Sequence, residues 1–229
     1  MIVELKPDPA RLAVIQECME NYDVGDANAE WPNNVISRHA VVYRDGTIAL
    51  RDDAVSHAVD TDELALCEKL SDEAAAIMNG VTIGMGSESD DAFKGFFIAA
   101  PAGSRPPSRI DEPLIRSRFG GTLFPPVTIT VEPFSEDAPW WKEDILFHGE
   151  EDIEPEELIP WRSMNRWFNS QSAFVDRAFV RIGDDELYDT GEDSWPKGTE
   201  LTGSVLPRLA LGLTHNGSLV GLFGYVVYT

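Results

Sequence analysis

From Ser204 to Thr229 the chain is almost free of charge, and this stretch constrains the fold more than any other. Leu209, Leu211 and Leu213 alternate up to His215, Asn216 and Gly217, and a second apolar run from Leu219 to Tyr228 answers them. Asn-Gly between alternating apolar segments signals a tight turn, so the pattern predicts a β-hairpin. A pair this apolar belongs inside a sheet rather than fraying as most chain ends do. The remaining sequence must supply strands to flank the hairpin and helices to cover it.

The preceding residues contain both. Ile2 to Lys6 alternates like a short strand, and Pro7, Asp8 and Pro9 open a helix with Leu12, Ile15 and Met19 at helical spacing. Gly25 to Asn34, with Trp31 and Pro32, reads as a loop. Asp45-Gly46 predicts a two-residue turn joining strands Ile36 to Arg44 and Thr47 to Arg51, with positive φ at both turn residues. Between Asp60 and Asn79, Leu64, Cys67, Leu70, Ala74, Ile77 and Met78 make one apolar helix face, with Thr61 as the expected cap and Gly80 as the stop. Val81 to Met85 and Phe93 to Ala100 read as strands around the acidic turn Ser87 to Asp91, and the second, apolar on both faces, is expected at the sheet centre.

Gly103 to Pro107 and then Gly120 and Gly121 bracket a polar stretch, read as an internal loop or else as a subdomain boundary near 103–121. Val127 to Glu132 alternates as a half-buried strand. Glu156 to Gln171 reads as a helix with Pro160 near its first turn, and Ala173 to Ile182 as a strand. The sum is a single α+β domain over 1–229: a largely antiparallel or mixed β-sheet, two to three packed helices, and the C-terminal hairpin buried in the sheet.

Composition enters with function. The net charge of −22 comes from 40 acids against 18 bases, and both halves of the chain share it. Three readings compete: a solvated surface that serves solubility, a face for a basic partner, and adaptation to a high-salt habitat. All three repel phosphate backbones and anionic lipid, so direct nucleic-acid binding and membrane association are not expected. No apolar run approaches the ~20 residues that cross a bilayer, and Ile2 to Leu5 lacks the basic and apolar regions of a secretion signal. Cys18 and Cys67, the only cysteines, each fall within an apolar helical pattern, which predicts buried free thiols and fits a cytoplasmic location.

Signatures of catalysis are absent from the sequence. His39, His57, His148 and His215 include no pair at zinc-ligand spacing. His148, Glu150, Glu151 and Asp152 lack the ligand alternation and turn glycine of a calcium loop, so neither metal nor cofactor is predicted. Asp90 with Asp91, and Asp184 with Asp185, fit turns. There is no nucleophile elbow, phosphate-binding loop or dinucleotide fingerprint, and a thiol on a buried face is a poor nucleophile for His39 or His57 to activate. Carboxylates distant in sequence can still converge in a fold, which keeps a metal-dependent hydrolase as an alternative.

The most unusual segment is Ser135 to Leu158. Glu136, Asp137, Glu143, Asp144, Glu150, Glu151, Asp152, Glu154, Glu156 and Glu157 stand against the single base Lys142 and surround Trp140, Trp141, Ile145, Leu146 and Phe147. The commoner role for such tryptophans is internal, covering the domain's own core while the acids face water. A docking role would present Trp140 and Trp141 as aromatic anchors within a rim of Glu143, Asp144, Glu150, Glu151, Asp152 and Glu154 that pairs with a partner's Lys and Arg. The expectation is a non-enzymatic, inhibitor- or immunity-like protein that docks a basic surface of another protein, such as a nucleic-acid-binding enzyme. Besides the hydrolase, the alternative is a structural subunit whose C-terminal hairpin gives a homo-oligomer interface.

Overall fold

The computed structural model describes residues 6–19, 34–53, 58–82, 87, 91–148, 151–152, 156–183 and 204–228. Along the chain run α1 (Pro9–Ile15), a 3₁₀ turn (Gln16–Met19), β1 (Ala40–Val42), β2 (Ile48–Leu50), α2 (Thr61–Ile77), β3 (Lys94–Ile98), α3 (Glu112–Arg118) and β4 (Ile129–Pro133). A π-helical turn (Trp140–Ile145) follows, then β5 (Phe147–His148), β6 (Glu151–Asp152), α4 (Leu158–Ser170), β7 (Phe174–Ile182), β8 (Ser204–Thr214) and β9 (Leu219–Tyr228). This is an α+β fold. Five strands form one antiparallel sheet in the order β3-β9-β8-β7-β4, with β1-β2 and β5-β6 as separate two-stranded pairs.

The apolar C-terminal strands lie inside that sheet, as their pattern predicts. β8 and β9 pair from Ser204 with Tyr228 to Leu213 with Leu219, and Leu209, Leu211, Leu213, Leu219 and Phe223 are fully buried. Directly paired residues share a face, so Gly95, Leu222, Ala210, Phe179 and Glu132 form one row across all five strands. Space for a Cβ at Gly95 is taken by the Ser71 carbonyl of α2, which packs that helix on this face. On the other face Phe96 packs against Phe223 and against Phe119, at the end of α3.

Local chemistry explains the helix ends. Asp8 accepts hydrogen bonds from the Ala10 and Arg11 amides, with Pro9 at the first helical position, where no donor is needed. Asp60, not Thr61, caps α2 by accepting from the Asp62 and Glu63 amides. Pro160 falls in the first turn of α4, where its missing N–H is tolerated. The stretch 103–121, read as loop or boundary, contains α3: Asp111 caps the Leu114 amide, Pro113 stands in the first turn, and Ile115 and Phe119 are fully buried.

Both glycine turns occur where the sequence places them, but each is one residue longer. Tyr43 donates to the Thr47 carbonyl and accepts from the Gly46 amide, leaving Arg44, Asp45 and Gly46 as the connection. Thr214, Ser218 and Gly217 repeat the arrangement around His215 and Asn216. Three-residue connections ask for a left-handed residue only at their third position, filled here by Gly46 (φ +82°) and Gly217 (φ +91°). β3 also differs from expectation: it stands at the sheet edge, beside β9 only. Its free side is covered by the first hairpin, where the Ala99 amide donates to Gly46, so a strand apolar on both faces needs no central place. Val81 to Met85 retains only a Thr82–Ala92 bridge among the described residues, and the strand expected at 2–6 and the loop at 25–34 lie outside them, save Lys6 and Asn34.

A buried carboxylate joins α2 to the C-terminal turn. Glu63, 4% exposed, accepts from the Thr214 hydroxyl and, at 2.8 Å, from the Asn216 amide; Ser218 in turn accepts the Ala100 amide at 3.0 Å. Removing the carboxylate strands the buried Thr214 hydroxyl, whereas the exposed Asn216 amide can turn to water. Glu63→Ala should therefore lower the unfolding free energy by roughly 2–4 kcal/mol, with Glu63→Gln losing less; urea denaturation of both variants measures the difference.

Candidate functional site

The acidic segment between β4 and α4 is attached to the sheet by its tryptophans. Phe179 stands next to Glu132, which ends their side-chain row on the edge strand β4, and the Trp140 ring stacks on Phe179 with centroids 4.4 Å apart and planes 14° from parallel. The Trp140 indole N–H donates to the Pro133 carbonyl at 2.9 Å, and its backbone N–H donates to Glu132 at 3.1 Å. Trp141 meets Trp140 edge to face at 5.4 Å. Phe134 completes the cluster against Trp140 and Phe168 of α4. Glu132 also stands 3.1 Å from the Arg181 guanidinium across the strand pair, which offsets the cost of placing a carboxylate 7% exposed beneath an indole.

Trp140 and Trp141 are 0% and 1% exposed. They take the internal role and, as folded, form no aromatic anchor at the surface. The carboxylates around them divide differently. Glu136 and Asp137 precede the π-helical turn and are exposed, at 49% and 97% of their side chains; Arg162 of α4 approaches Glu136 and Lys142 approaches Asp137, both at 3.9 Å. Glu156 and Glu157 are exposed just before α4. Glu143 and Asp144 lie on the π-helical turn, and Glu151 and Asp152 form β6, paired with His148 and Phe147. Glu150 and Glu154 lie outside the described residues. Sequence reading thus placed the acids on one segment but missed Glu132, whose isolated position on a strand gives no hint that it receives the Trp140 amide.

Among the described residues, the other sequence candidates do not assemble into a catalytic group. Cys18 and Cys67 are free and buried; burial pushes both thiols up, Cys67 to about 12, so neither is a thiolate near neutral pH. Among the described residues no three His, Cys, Asp or Glu side chains stand together as metal ligands, and no helix is long and apolar enough to cross a membrane. Asp90, Asp184 and Asp185 lie outside the described residues. Compared with known protein families and with curated proteins, the chain matches none.

Replacing Trp140 removes the stack on Phe179 and leaves a cavity beneath the acidic segment. Trp140→Ala should cost about 3–5 kcal/mol, and Trp140→Phe less, since it keeps a ring but loses the indole donor. Thermal unfolding followed by circular dichroism reads both, and a loss under ~1 kcal/mol for the alanine variant would mean that the indole is not packed.

Proposed function

We propose that the chain is a non-enzymatic protein-binding protein, inhibitor- or immunity-like, that docks a basic surface of another protein through the acidic segment 135–158. The observation that carries this reading is that two buried tryptophans fix the segment to the sheet while Glu136, Asp137, Glu156 and Glu157 stay in water. Carboxylates held in place lose little freedom on binding, and their field within a chain of net charge −22 speeds encounter with a cationic surface. In this reading the contact is made by carboxylates, and the indoles act from beneath. A nucleic-acid-binding enzyme is a suitable partner class because its cleft already accommodates spaced negative charge.

The proposal is tested by affinity capture from a lysate of the source cells at ~0.05 M and ~0.5 M salt, with the recovered proteins identified by mass. One charge-reversed variant carries Lys at Asp137, Glu156 and Glu157, and a second carries Lys at Glu150, Glu151 and Asp152. The wild type should retain a basic protein at low salt and release it at high salt, and at least one variant should retain several-fold less. Recovery of no basic protein, or equal recovery by both variants, would return the acidity to solubility alone.

A further inference from the structure

On the α1 and α2 side of β3 a largely buried guanidinium makes no hydrogen bond among the described residues. The Arg11 side chain is 19% exposed and lies over the Phe97 ring, 3.4 Å from its centroid. Its Nε stands 3.8 Å from Asp8 and its Nη2 3.8 Å from Glu68, too far for hydrogen bonds. Nη1 is buried and has no partner at all. Arginine carries five donors in a rigid fork. Here none of them reaches an acceptor among the described residues, and burial pulls the guanidinium below its ordinary pKa despite the nearby carboxylates of Asp8 and Glu68. A desolvated cation in this state is costly, and a bound carboxylate would relieve it.

Beside Arg11 opens a crevice of about 240 Å³, walled by Val14, Val42 and Phe97 and rimmed by Glu68 and Asp72 of α2. Glu68 and Asp72 are four residues apart and so share a helix face. The crevice is smaller than the roughly 300–1,000 Å³ that holds drug-sized ligands, which limits its occupant to about the size of one amino acid. Charge narrows the class further. A simple anion meets Glu68, Asp72 and the acidic field of the chain, whereas a simple amine meets Arg11. A molecule with both charges, and an aliphatic group for the apolar walls, satisfies every part of the lining.

We propose that this crevice is a binding site for a small apolar α-amino acid, with the carboxylate on Arg11, the ammonium between Glu68 and Asp72, and the side chain against Val14, Val42 and Phe97. The site shares no residue with the acidic segment, so it stands or falls independently of the docking reading.

Isothermal titration calorimetry with leucine as the probe tests it, with 4-methylpentanoate and 3-methylbutylamine as analogues that each lack one charged end. Leucine should bind saturably, both analogues should bind at least ~10-fold more weakly, and Arg11→Gln and Asp72→Asn should each weaken leucine binding by a similar factor. Asp72 is exposed, so its variant tests the site even where Arg11→Gln disturbs folding, which circular dichroism would reveal. No saturable leucine binding by the wild type in the millimolar range would overturn the proposal. So would an undiminished affinity for either analogue, or unchanged leucine binding by folded Asp72→Asn protein.

Discussion

Every other part of the sheet is attached to the pairing of β8 with β9. These two strands share an uninterrupted register from Ser204–Tyr228 to Leu213–Leu219, and their side chains are apolar enough to be covered on both faces. β7 adds to one side and carries β4 with it, while β3 adds to the other. The Glu63 carboxylate then ties the turn between the two strands to the first turn of α2. Because the buried Thr214 hydroxyl and the exposed Asn216 amide of the hairpin both donate to that one acid, strand pairing and helix docking are coupled, and α2 cannot slide along the sheet without unpairing Thr214 and Asn216.

The elements whose cause is local were legible in the sequence. Period-2 apolar runs gave β7, β8 and β9, the apolar face from Leu64 to Met78 gave α2, and Asp-Gly and Asn-Gly located both turns. Where the cause is tertiary, sequence reading went astray. The position of β3 depends on the first hairpin, which covers its outer side through the Gly46 to Ala99 contact, and an edge strand so covered has the same composition as a central one. α3 escaped because its seven residues are too short for a periodic pattern, although Asp111 with Pro113 two residues later is a helix-start signal that could have found it.

The candidate site shows the same division. Aromatic residues amid acids were visible as a segment, but not the direction in which the rings point. Two adjacent tryptophans cannot both face inward from an exposed helix, and both are buried here because the π-helical turn packs Trp140 on Phe179 of the sheet, with Trp141 edge-on to Trp140 and Phe134 bridging to Phe168 of α4. Arg11 was illegible for a related reason. Nothing in Pro9 to Ile15 tells that its guanidinium will rest on Phe97, more than eighty positions away, with the buried Nη1 left without a partner.

The buried tryptophans hold the π-helical turn of the acidic segment against the sheet as firmly as the core is held. Amide hydrogen exchange resolved at single residues measures this directly. The Trp140 amide, bonded to Glu132, and the Leu146 amide, bonded to Trp141, should be protected to within roughly tenfold of Phe179 in β7. Exchange of both at the rate of an unstructured peptide, with Phe179 still protected, would show that the tryptophans do not anchor the segment.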